Sequence, residues 1–84
     1  MDLAQARMAQ ESAQIILRLY KDHNLRPGQM LMHLGLEYRF VAGRLGSLEE
    51  FKAGMAYALD HKWIELKDGE AYLTPEGHEM IRGR

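Results

Sequence analysis

The stretch ALDHKWIELKDGEAYLTPEGHEMI, residues 58–81, decides how this chain folds. Trp63-Ile64-Glu65-Leu66 and Ala71-Tyr72-Leu73-Thr74 read as two short strands, with Lys67-Asp68-Gly69-Glu70 between them. An Asp-Gly pair at the apex suits a two-residue hairpin turn, because both central positions of such a turn need positive φ. Thr74-Pro75-Glu76-Gly77 then opens a short helix. The threonine oxygen caps it, and the proline fits the first helical position, where its missing N–H costs nothing.

Working back from the hairpin, Ser47 followed by Glu50 forms a capping box, each side chain satisfying an orphan backbone donor of the other residue. From there Leu48, Phe51, Met55, Leu59 and Trp63 make an apolar stripe at helical spacing. The opposite face is expected to carry Glu49, Glu50, Ala53, Gly54, Tyr57 and Asp60. Gly43 and Gly46 mark the turn before this helix. Further back, the residues around Pro27 break the chain, and the proline suits the first turn of a second helix over Gly28–Leu34. Beyond it residues 35–46 stay open. Leu34, Tyr38, Val41 and Leu45 continue a helical spacing from Met30 and Leu31. Leu36, Tyr38 and Phe40 fit a strand alternation as well, with Gly35 as a helix end. The first helix is expected from Asp2 to His23, with Ala9, Ser12, Ile16, Leu19 and Tyr20 on its apolar face. Its opening segment, residues 1–14, has few large apolar side chains, so it either frays or packs against a partner.

Helix, helix, helix, hairpin and short helix is the order of a winged helix-turn-helix domain. The fold expected is therefore mostly α with one small β-hairpin, in a single domain over residues 1–84. Residues 58–81 resemble the recognition-helix end, wing and following helix of MarR-type and PadR-type regulators. These proteins commonly show a glycine-containing turn, a hairpin and a Leu-Thr-x-x-Gly motif, matched here by Leu73-Thr74-Pro75-Glu76-Gly77. This chain departs from them at the turn, where His61-Lys62-Trp63-Ile64 stands in place of the glycine-containing segment. The resemblance implies a DNA-binding protein related to transcription. The first helix, Asp2–His23, is the expected element for a homodimer contact.

The charges argue against the standard way of docking such a fold on DNA. Across 84 residues the net charge is −1. Residues 18–44 hold five basic and two acidic side chains, whereas residues 45–84 hold five basic and eight acidic ones. The recognition helix and wing thus lie in the acidic half, where repulsion of phosphate opposes binding. Arg39, Arg44, Lys52 and Lys67 are the expected phosphate contacts in a nucleic-acid reading, with Tyr57 near the bases. The alternative is a protein-interaction module whose partner meets Tyr57 and the small residues around it.

Catalysis is not expected. The chain has no cysteine, which excludes disulfides and thiolate metal sites and fits a reducing, cytoplasmic setting. His23, His33, His61 and His78 are scattered without metal-ligand spacing, so neither a metal nor a cofactor is expected. Ser47 and Thr74 are accounted for as helix caps, and Glu49-Glu50 lie on an exposed helix start, where nothing would desolvate either for paired-carboxylate chemistry. The N-terminal sequence lacks the basic-then-apolar pattern of a secretory signal. Its longest apolar run, Ile15–Leu17, is far short of a membrane span.

Overall fold

The computed structural model describes residues 3–82 and runs α1 (Leu3–Asp22), β1 (Met30–Met32), α2 (His33–Ala42), α3 (Leu48–Asp60), β2 (Ile64–Lys67), β3 (Glu70–Leu73) and α4 (Pro75–Arg82). It is mostly helical, with a three-stranded antiparallel sheet in the order β1-β3-β2. Asp2, the expected start of the first helix, lies outside the described residues. In α1 the side chains of Ala9, Ser12, Ala13, Ile16, Leu17 and Tyr20 recur every three or four positions and are all buried. α1 packs chiefly along α3. The second half of the segment over residues 1–14, expected to fray or seek a partner, therefore meets α3 of its own chain.

The hairpin follows the residues that encode it. Asp68 and Gly69 sit at φ 52° and 78°, joining β2 and β3 with Lys67 opposite Glu70 and Ile64 opposite Leu73. The Ser47 hydroxyl accepts from the Glu50 N–H at 3.1 Å while the Glu50 carboxylate accepts from the Ser47 N–H at 3.0 Å, completing the capping box of α3. Thr74 accepts from the Gly77 N–H at 3.0 Å and donates to the Lys62 carbonyl, which couples the start of α4 to the end of α3.

The expected helix over Gly28–Leu34 is replaced by a turn and a strand. Arg26-Pro27-Gly28-Gln29 forms a tight turn in which the Gln29 N–H donates to the Arg26 carbonyl at 3.0 Å, with Gly28 at φ 89°. Proline followed by a residue at positive φ is the type II arrangement, so Pro27 begins a turn and not a helix. The Gln29 carboxamide oxygen accepts from the Arg26 N–H at 2.8 Å and closes the same loop. Met30, Leu31 and Met32 then pair with Tyr72, Ala71 and Glu70 of β3. Local spacing favoured a helix here, but β3 offers an unpaired edge whose hydrogen bonds only a strand can take up. α2 starts immediately after, runs through Gly35 and carries Leu36, Tyr38 and Phe40 on a helix. The strand alternation read from those three residues is overturned.

Three helices close in the same way. Asn24, Arg44 and Lys62 stand at φ 54°, 59° and 59°. The residue after each, Leu25, Leu45 and Trp63, donates back to the carbonyls of Tyr20, Phe40 and Ala58 at 3.1, 2.9 and 2.9 Å. This is the Schellman closure, which prefers glycine at the left-handed position. A side chain there costs ~1–2 kcal/mol, against the ~0.5–1 kcal/mol of extra chain entropy that glycine gives up on folding. Lys62→Gly is therefore expected to raise stability by about 0.5–1 kcal/mol in urea unfolding. An unchanged or lower midpoint would show that the lysine side chain makes a compensating contact.

The core lies between α1, the helices α2 and α3, and the sheet. Tyr20, Phe40, Phe51, Ile16, Leu36, Ile64 and Leu73 are its largest fully buried side chains. The Phe40 and Phe51 rings meet at 5.4 Å, tilted by 57°. The buried Tyr20 hydroxyl donates to the Ala71 carbonyl at 2.8 Å, tying α1 to the central strand. Burial pushes the Tyr20 phenol well above its ordinary range, so this donor keeps its proton.

Candidate interaction face

α2 is apolar on both sides, although only one side meets the core. Leu36 and Phe40, four residues apart, are fully buried. Leu34, Tyr38 and Val41, which follow the same helical rule half a turn away, point outward at 72%, 74% and 38% exposure. Leu45, in the turn that follows, and Leu48, at the start of α3, extend the exposed apolar surface. Leu48 and Val41 share a shallow hollow with Leu34, Glu37, Tyr38 and Ala42. Singly exposed leucines need no account, but a contiguous stripe of large apolar side chains on a monomer marks a contact surface.

The charged residues around this stripe are mixed in sign. Arg39 on α2, Arg44 in the connecting turn and Lys52 on α3 are exposed, as is Glu49, while Glu37 is half-buried at the edge of the hollow. Arg39, Arg44, Lys52 and Lys67 make no ion pair with the described residues, whereas Arg82 pairs with Glu79 at 3.6 Å. Lys67 stands apart from the α2–α3 stripe, exposed at the hairpin beside Asp68. Arg18 and Lys21 line a groove between α1 and α4. The basic side chains of residues 18–44 are thus divided between two regions of the surface.

The outward face of α3 is rotated from the one expected. Leu48, Glu49, Lys52, Ala56 and Asp60 are exposed, Ala53 and Tyr57 are half-buried, and Gly54 is buried. The cause is the close approach of α1. A Cβ on Gly54 would stand 2.7 Å from the Ser12 Cβ and 2.9 Å from the Ala13 backbone nitrogen. Gly54 therefore belongs to the α1–α3 contact and not to an open patch of small residues around Tyr57. Lys52, named among the expected phosphate contacts but not among the six residues of the polar face, lies on this exposed face.

Tyr57 is itself engaged within the chain. Its ring stacks on His61 with centroids 3.9 Å apart and planes at 17°, and it meets Trp63 at 5.5 Å. His61 lies 5.4 Å from Trp63, and its Nδ1 is 2.9 Å from the Tyr57 carbonyl, so that nitrogen carries the proton and donates. These three rings cover the junction of α3 with the hairpin. The remaining histidines stay apart, with His33 against Phe51 and His23 hydrogen-bonded to the Leu19 carbonyl. Among the described residues no three His, Cys, Asp or Glu side chains are grouped to hold a metal ion. Ser47 and Thr74 are occupied as caps, and Ser12 is buried beneath Gly54.

The stripe of Leu34, Tyr38 and Val41 is the feature that sequence reasoning missed as a surface. Its signal was present, since residues 34–41 hold two sets of apolar positions half a turn apart, more than one core-facing side of a helix needs. No helix among the described residues is long and apolar enough to cross a membrane. Compared with family models, curated proteins and solved structures, the chain matches none.

Proposed function

We propose that this chain is a winged-helix domain serving as a non-enzymatic protein-interaction module, and that its α2–α3 face joins two copies of the chain. The winged-helix assignment is supported by the element order and by the strand order β1-β3-β2, with a tight β2–β3 hairpin following three helices. The protein-docking reading rests on the exposed stripe of Leu34, Tyr38, Val41, Leu45 and Leu48. Its rim carries both signs, Arg39, Arg44 and Lys52 with Glu37 and Glu49, and suits a second copy, because each protomer then offers both signs to the other. A duplex needs one sign only.

Sedimentation equilibrium from micromolar to near-millimolar protein tests this directly. The native chain is expected to self-associate, and Tyr38→Glu to leave a folded monomer, since a charge at the centre of an apolar contact cannot be desolvated cheaply. A native chain that stays monomeric throughout would reject the proposal.

One observation favours nucleic acid as a second reading. Arg39, Arg44 and Lys52 stand exposed on the two helices, and the turn between them, that a helix-turn-helix presents to a duplex. In that reading anisotropy of labelled random duplex DNA rises with protein, falls steeply with salt and is weakened by Arg39→Ala or Arg44→Ala. That result in a monomeric protein would put the nucleic-acid reading first.

A further inference from the structure

Away from the α2–α3 face, a groove of about 300 Å³ runs between α1 and α4, floored by Leu17, Met80 and Ile81 and edged by Gln14, Arg18 and Lys21. It continues past Lys21 and Ile81 into a second hollow of about 350 Å³ that reaches Asn24, Leu25, Arg26 and His78. The two form one elongated trough along the C-terminal half of α1, roughly 15 Å long at 1.5 Å per residue. Among the described residues none that lines either part is acidic, whereas Arg18, Arg26 and His78 stand along it. The nearest acid on α4, Glu79, is drawn to Arg82.

An apolar floor with a rim of one sign selects its occupant. A second copy meeting this trough with its own would bring Arg18 and Arg26 against the same residues, and like charges facing each other oppose that contact. A small anionic amphiphile would fill one hollow and leave the other open. Three turns of helix match the whole length, and an amphipathic helix lays its apolar side into such a groove. We infer that the α1–α4 groove binds an amphipathic helical segment of a partner protein, with leucine-like side chains on Leu17, Met80 and Ile81 and carboxylates facing Arg18 and Arg26. This site is separate from the α2–α3 face and does not depend on it.

The test uses two fluorescein-labelled synthetic peptides of about three or four helical turns. Both have leucine at helical spacing; one has glutamate at the flanking positions and the other lysine. The full chain is titrated into each and anisotropy is followed. The glutamate peptide is expected to bind and the lysine peptide not to. Arg18→Glu with Arg26→Glu should weaken binding at least ~10-fold, while Tyr38→Glu, on the other face, leaves it unchanged. Circular dichroism verifies that each variant is folded, and both charge reversals are at exposed positions. Equal binding of the two peptides, indifference to the charge reversals, or no binding of the glutamate peptide overturns the inference. Dodecanoate is titrated in parallel as the small-amphiphile control. Dodecanoate protecting Met80 and Ile81 signals in NMR while the peptide does not bind would also overturn it, and would assign the groove to a small anion.

Discussion

Gly54→Leu is expected to prevent stable folding. Gly54 lies where α3 crosses α1, and the first carbon of any side chain would already stand 2.7 Å from the Ser12 Cβ, 2.8 Å from the Ser12 carbonyl carbon and 2.9 Å from the Ala13 nitrogen. Two of these are backbone atoms of a helix, which cannot swing aside as the end of a flexible side chain would. The helices must separate instead, and α1 with α3 is the most extensive packing in the domain. Overpacking costs ~1–3 kcal/mol where side chains yield. A domain of this size has roughly 4–13 kcal/mol in total, so a leucine that pries apart its main helix pair removes most of it. Gly54→Ala is the sharper measurement, because two effects oppose each other. Alanine favours a helix over glycine by ~1 kcal/mol, while the added methyl meets backbone on the neighbouring helix. The clash is expected to win, lowering the urea midpoint. An alanine variant as stable as the native chain would show that α1 and α3 are less closely apposed than described.

The second large effect separates two aromatic residues on α2. Phe40→Ala is expected to cost about 3–5 kcal/mol, since it empties a fully buried site that also holds the Phe51 ring at 5.4 Å. Tyr38→Ala, two residues earlier and 74% exposed, is expected to change the stability of the monomer by about 0.5 kcal/mol or less. Both values are read from urea unfolding at a protein concentration low enough that self-association adds nothing. The same pair of variants behaves oppositely in association, where Tyr38 and not Phe40 carries the contact proposed for the α2–α3 face. Comparable losses from the two changes would mean that α2 is not the helix described but an element with both rings inside.

Which elements were legible depended on whether their signals were local. The capping box of Ser47 and Glu50, the Asp68-Gly69 turn and the Thr74-Pro75 helix start each satisfy backbone groups within three or four residues. Their residue types therefore announce them without reference to the rest of the chain. The apolar faces of α1 and α3 were likewise written in their spacing. So was the charge division between residues 18–44 and 45–84, which no folding can alter.

The tertiary structure decided what local spacing left open. Met30–Met32 became a strand because β3 had an edge to pair, and the turn at Pro27-Gly28 delivered it there. α2 could have buried either of two apolar sets. The Phe51 ring and the α1 face drew in Leu36 and Phe40 and left Leu34, Tyr38 and Val41 outside. Gly54 went to the interior because α1 approaches α3 closely there, which rotates the outward face of α3 from the one that spacing alone indicates. The groove between α1 and α4 has no trace in any one segment, since its floor and rim come from residues more than fifty positions apart. Hydrogen bonding along the chain chose most of the elements; competition among apolar surfaces for one small core chose which faces remained exposed.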